Sequence, residues 1–124
     1  MREILFRGKH KSSGKWCEGN LHIDKQGIAI ITPDDTPLGC YGQVDPDTVG
    51  QYTGLTDKNG KKIFEGDVVH MRTSGLSGRG EIVFKDGAFV IDDKKRKRFY
   101  YMYHDAVYRV EGNIHDNPEL MEDK

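Results

Sequence analysis

Between Gly66 and Val110 the sequence leaves the backbone little choice. Asp67 to Met71, Gly80 to Phe84, Ala88 to Ile91, Phe99 to Tyr103 and Ala106 to Val110 are short runs rich in β-branched and aromatic residues. Each is separated from the next by residues with turn chemistry, and such spacing is that of a strand meander. Asp86-Gly87 is predicted to be a tight hairpin turn, because both positions tolerate φ > 0. The flexible composition of Thr73 to Gly78 predicts a loop. Gly66-Asp67 heads the first run, and a glycine followed by a short polar residue suits the start of a sharply coiled strand.

The same reading extends upstream. Glu3 to Arg7, Lys15 to Ile23 and Ile28 to Thr32 are three strand-length runs, joined by turn residues at Lys11 to Gly14 and Asp24 to Gly27. Residues 33–47 hold Pro33, Pro37 and Pro46, and are expected to be a long loop with no ladder element. Thr48 to Thr53 resumes an extended path, Asp57-Lys58-Asn59-Gly60 is a second tight-turn signal, and Ile63-Phe64 return. The one helical signal comes at the end, where Asp116 or Asn117 can cap and Pro118 suits a first helical position.

Composition agrees. Nine Ile and eight Val against three Ala and six Leu favour a pleated surface over a helix. A hydrophobic share of 35% predicts a thin core, so burial across an interface would add stability. The formal net charge of -1 gives no global pull towards nucleic acid or an anionic membrane. No apolar run approaches the roughly 18 residues needed to span a bilayer, and no apolar leader follows Met1-Arg2-Glu3. Cys17 and Cys40 are therefore expected to stay reduced, in a cytoplasm.

Candidate chemistry is sparse. The phosphate-binding patterns G-x-G-x-x-G and G-x-x-x-x-G-K-[ST] are absent, and Gly75 to Gly80, with Arg79, could form an anion nest but reads better as a flexible loop. His10, His22, His70, His104, His115, Cys17 and Cys40 have no metal-ligand spacing, so no metal or other cofactor is expected. Asp45-Pro46-Asp47 and Asp57 to Gly60 lack the glycine and acid that a calcium loop needs. His104-Asp105 are adjacent, and neighbours on a strand face opposite sides, which argues against a catalytic pair. The sharpest feature is Lys94-Lys95-Arg96-Lys97-Arg98, followed by aromatics that include Tyr100 and Tyr101. Positive charge beside rings is the composition of a nucleic-acid groove, although a solvated turn explains it as well.

Three segments share a Glu-Gly-Asx-aliphatic core: Glu18 to Leu21, Glu65 to Val68 and Glu111 to Ile114. They read as three similar strand starts rather than a repeat. Together with Met1 to Lys9, Trp16, Thr48 to Leu55, Asp57 to Gly60 and Asn117 to Leu120, they resemble the YopX family of small phage and prophage proteins. The residues that carry the resemblance are Trp16, Gly19, Gly50, Tyr52, Thr53, Gly54, Asp57, Gly60, Gly66, Asp67, Gly112, Asn113 and Pro118, and they look structural. Segments 28–47 and 70–108 carry no hallmark of it. The resemblance implies a β-rich fold in the cytoplasm of a bacterial host, and brings no catalytic residue with it.

The expectation is one mainly β domain over residues 1–124. An N-terminal β-hairpin region (1–55) would pack with a small SH3-like barrel (56–115), followed by a short helix and tail (116–124). The expected role is a non-catalytic protein-binding or assembly module that can form homo-oligomers and has no membrane contact. Nucleic-acid binding along 94–103 is the alternative, and an enzyme the remote one.

Overall fold

The computed structural model describes residues 3–33 and 42–121, and the chain divides into two compact units, Met1–Tyr52 and Thr53–Lys124. It is mainly β. The strands are β1 (Phe6–Lys9), β2 (Trp16–Ile23), β3 (Ala29–Thr32), β4 (Gly42–Val44), β5 (Gly50–Thr56), β6 (Lys62–Phe64), β7 (Asp67–Thr73), β8 (Leu76–Lys85), β9 (Ala88–Asp93), β10 (Arg98–Tyr101) and β11 (Val107–Asn113). β5 runs through the boundary between the units.

In the first unit the antiparallel order is β4-β3-β2-β1-β5. β2 serves two partners: Trp16 to Gly19 pair with β1, and Asn20 to Ile23 with β3. The change of partner falls at Gly19, where an added Cβ would lie 2.2 Å from the Thr32 carbonyl oxygen, so only glycine fits. Cys17, Ala29, Ile31 and Val44 form the small core, with Phe6, Leu21 and Val49 against it. β4 corrects the expected structureless loop. Val44 pairs with Ala29 and is fully buried, and Pro46 opens a single 3-10 turn (Pro46–Thr48) in which its missing N–H costs nothing. Cys17 is disulfide-bonded, against the expectation of reduced thiols. Cys40, Pro37 and the rest of 34–41 lie outside the described residues.

In the second unit the end of β5 lies beside β6, and a five-stranded antiparallel sheet runs β10-β9-β8-β7-β11. β7 to β10 are the expected meander, and the last strand returns beside the first. The outer strands β10 and β11 do not pair with each other among the described residues, so the sheet is open rather than the closed barrel expected. The expected terminal helix is one 3-10 turn, Pro118–Met121.

Turn chemistry explains the register. Asp86 (φ 51) and Gly87 (φ 84) both occupy the left-handed region, as the hairpin between β8 and β9 requires. Asp57 closes the β5–β6 turn: its Oδ1 accepts the N–H groups of Asn59 and Lys61, both at 2.9 Å. Ahead of β7, Gly66 (φ 93) lets the Phe64 N–H reach the buried Asp67 carboxylate at 2.8 Å. The core of this unit is Ile63, Val69, Met71, Ile82, Ile91, Tyr100 and Tyr108.

Two expectations fail here for one reason. Thr73 to Gly78 is not a loop, because β8 begins at Leu76 after a tight turn with Gly75 at φ 76. Gly78 and Gly80 therefore sit inside a strand, the first under the Tyr100 ring and the second against the Asp92 backbone. Likewise the three Glu-Gly-Asx segments are not three strand starts. Only Gly66-Asp67 is one; Gly19 lies within β2, and Gly112 follows the register shift near the end of β11.

Candidate functional site

Lys94 to Lys97 form the turn between β9 and β10, Arg98 opens β10, and all five residues are exposed. The buried Asp93 carboxylate accepts the Arg96 N–H at 3.1 Å and so pins the turn. Lys94 reaches Glu81 at 3.5 Å on the neighbouring strand. Lys97 adopts φ 56, a conformation that a residue with a Cβ enters at a cost of roughly 1–2 kcal/mol.

β10 then separates its aromatics by the two-residue period of a strand. Tyr100 faces the core and is 5% exposed, with the Arg98 guanidinium 5.2 Å from its ring. It is thus no surface contact, contrary to the sequence reading. Phe99 (49% exposed) and Tyr101 (69% exposed) lie on the opposite face. Phe99 pairs with Asp92 and Tyr101 with Val90, while the Lys85 ammonium stands 4.9 Å from the Phe99 ring. Lys85, Asp86, Ala88, Val90, Phe99 and Tyr101 line a groove of about 240 Å³. β10 is the edge of its sheet, so its outer backbone groups are placed to accept a further strand.

A second constellation went unseen in the sequence, because its members are far apart in it. His70 and Arg72 alternate on β7, Arg109 of β11 pairs with His70, and Val107 pairs with Arg72. All four lie on the face opposite the core residues Val69, Met71 and Tyr108. Lys58 joins them because its N–H donates to the Tyr108 carbonyl at 2.9 Å. Alternating cations on β7 were the only signal available beforehand.

Beside this cluster, Glu111 accepts from Arg79 Nε at 2.5 Å and from Arg109 Nη2 at 3.0 Å. Burial alone would push its carboxyl up, but the hydrogen bonds and charges of the two arginines outweigh this and hold it below the usual carboxylate range. Arg79 also donates to the Leu120 carbonyl at 3.2 Å, anchoring the terminal turn.

The remaining candidates do not converge. His104 and Asp105 share an exposed turn. Asp45 caps its own 3-10 turn by accepting the Asp47 N–H at 3.0 Å. No group of three or more His, Cys, Asp or Glu residues among those described could hold a metal ion. The family-pattern residues are structural in their contacts. The Arg7 guanidinium lies 4.6 Å from the half-buried Trp16 ring, Gly50 pairs with Arg7, the Tyr52 N–H donates to Leu5, and Thr53 Oγ1 donates to Ile63. Gly54 and Gly60 take positive φ in and after β5, and the Asn113 carboxamide oxygen accepts the N–H groups of His115 and Asp116 ahead of Pro118.

These features define a mainly β protein of two antiparallel units with a cationic, aromatic strand edge. The pattern described as YopX protein matches residues 5–122, and the chain belongs to the YopX family. The fold is similar to that of protein EF1440 from Enterococcus faecalis, with 25% identity, a TM-score of 0.58, and coverage of 98% of this chain and 100% of that one. It is also similar to protein yopX from Bacillus subtilis, at 20% identity and the same TM-score of 0.58, covering 100% of this chain and 99% of that one. No curated protein matches the chain. No helix among the described residues is long and apolar enough to cross a membrane.

Proposed function

We propose that this protein is a non-catalytic protein-binding module, whose β10 edge takes up an extended segment of a partner. The observation that carries this is the exposure of Phe99 and Tyr101 side by side on an edge strand that ends in a cationic turn. An added strand would gain backbone hydrogen bonds along β10 and cover the groove at Val90, Phe99 and Tyr101. Its acidic residues would meet Lys95, Arg96 and Lys97. The order β10-β9-β8-β7-β11 is also that of an SH3-like sheet, and we read the second unit as an open variant of that fold.

The nucleic-acid alternative is weaker on these observations. Tyr100 is withdrawn into the core, Lys94 is engaged by Glu81, and Asp92 places a carboxylate directly across from Phe99. A stacking platform for bases would repel phosphates there.

We further take the protein to be a phage- or prophage-derived accessory factor of a bacterial cytoplasm, as members of its family are read, with self-association through the same edge as one mode of assembly. Amide NMR titration with selected extended peptides tests the reading. Shifts should centre on 98–101 and on the basic turn, and vanish in a Phe99→Ser/Tyr101→Ser double variant. Binding that maps elsewhere, or affinity for single-stranded oligonucleotides alone, would reject it. Sedimentation velocity at micromolar concentration shows whether a second copy supplies the strand.

A further inference from the structure

We propose that the recess formed by β7, β11 and the β5–β6 turn is a binding site for a phosphate-type oxyanion. It is independent of the β10 edge. Lys58, His70, Arg72, Val107, Tyr108 and Arg109 line it, and its volume of about 30 Å³ admits a few oxygen atoms but no sizeable organic group. Its size restricts the occupant, and its cationic lining selects an anion.

The charge is only partly compensated. Register alone forces His70 and Arg72 to share a face with Arg109. Three groups of permanent positive charge, on Lys58, Arg72 and Arg109, converge with the imidazole. Neither the Arg72 guanidinium nor the Lys58 ammonium makes an ion pair or hydrogen bond with a described residue. The nearby carboxylate, Glu111, is already divided between Arg79 and Arg109. Like charges held this close repel one another, and an anion among them converts the repulsion into attraction. Guanidinium forks suit a tetrahedral oxyanion because two parallel N–H groups match two of its oxygens. The neighbouring Ser77 hydroxyl, 3.0 Å from His70 Nε2, orients the imidazole from the adjacent strand.

The site is also held in place before any ligand arrives. Asp57 Oδ2 accepts the Val110 N–H at 3.1 Å, and the Lys58 N–H is bonded to Tyr108, so the turn carrying Lys58 is fixed against β11 at two points. With the backbone fixed, the entropy lost on binding is mainly that of the exposed side chains.

The test is a titration of the whole protein with inorganic phosphate, against chloride at matched ionic strength, read by amide and arginine Nε–H NMR signals. Saturable shifts are expected at Arg72, Arg109, Lys58 and Val107. Arg72→Gln and Lys58→Gln should each weaken binding about tenfold, whereas Lys25→Gln in the exposed β2–β3 turn should leave it unchanged. Both lost charges are exposed, and unchanged signal dispersion would show that the variants fold. A parallel titration with a short single-stranded oligonucleotide identifies the source: tighter binding through the same residues assigns the site to a phosphodiester, and phosphate binding alone to a free or monoester phosphate. Shifts no larger than those with chloride, or shifts that survive in both variants, would overturn the proposal.

Discussion

The Asp57 carboxylate and the Val110 N–H, 53 positions apart in the chain, meet at 3.1 Å. One side chain thereby shapes the β5–β6 turn and ties it to the last strand of the sheet. Burial raises its pKa, but the N–H groups of Val110, Lys61 and Asn59 and the charge of Lys61 reverse this, leaving it below the ordinary value. Asp57→Ala should cost about 2–4 kcal/mol in urea unfolding, since three backbone donors lose a charged acceptor. The contribution is complete above the unfolded carboxylate pKa of roughly 4 and is lost as the pH falls through the lower folded value. Asp57→Asn should therefore flatten the acid limb of the stability profile.

Tyr108 behaves in the opposite sense. Its buried hydroxyl donates to the Tyr103 carbonyl at 2.5 Å, and burial, reinforced by Asp105 and Tyr103, pushes its pKa up to about 12. The folded state prefers the neutral phenol, so this stabilisation is present below the unfolded pKa of about 10 and declines as the pH rises towards the folded value. Ultraviolet titration should show one phenol ionising late, and Tyr108→Phe should remove it at a cost of about 1 kcal/mol.

Gly80→Ala and Gly78→Ala separate two kinds of crowding. A Cβ at Gly80 would meet the Asp92 backbone oxygen at 2.2 Å, which cannot yield without parting β8 from β9. At Gly78 it would meet the Tyr100 ring at 2.6 Å, and a ring can shift. Thermal unfolding should show Gly80→Ala as the more damaging, at about 3 kcal/mol or more, with Gly78→Ala nearer 1–3 kcal/mol.

Lys97 carries a conformational penalty in the basic turn. Lys97→Gly should stabilise the second unit by about 1 kcal/mol in chemical denaturation by relieving φ 56. The same variant should weaken an acidic peptide bound at β10. Stability and binding moving in opposite directions is the expected signature, and lost stability would show that the turn is unstrained.

The parts of this fold legible in the sequence were those written locally. Asp57 to Gly60 and Asp86-Gly87 announce their turns because the residues themselves supply the needed dihedrals, and β7 follows from Gly66-Asp67. Features decided by pairing were hidden. Pro37 and Pro46 masked the short β4, which exists because Val44 fills a place beside Ala29. Gly78 and Gly80 looked flexible, yet they are the small residues that let a ring and a neighbouring strand come close. The aromatic run from Phe99 to Tyr103 has no polar alternation to reveal its phase, so the inward turn of Tyr100 was not readable. The cluster of Lys58, His70, Arg72 and Arg109 is a product of register, which no linear motif records.

The return of β11 to the side of β7 sets an order on synthesis. β8, β9 and β10 each find a hydrogen-bonding neighbour as soon as they leave the ribosome, because each hairpin partner has just preceded it. β7 waits longest, with one flank bare and Val68, Val69 and Met71 in its sequence, until the final strand emerges. A nascent chain stalled before Val107 would offer that flank to any other strand at hand, so the vulnerable moment in this protein's life comes just before its sheet is finished.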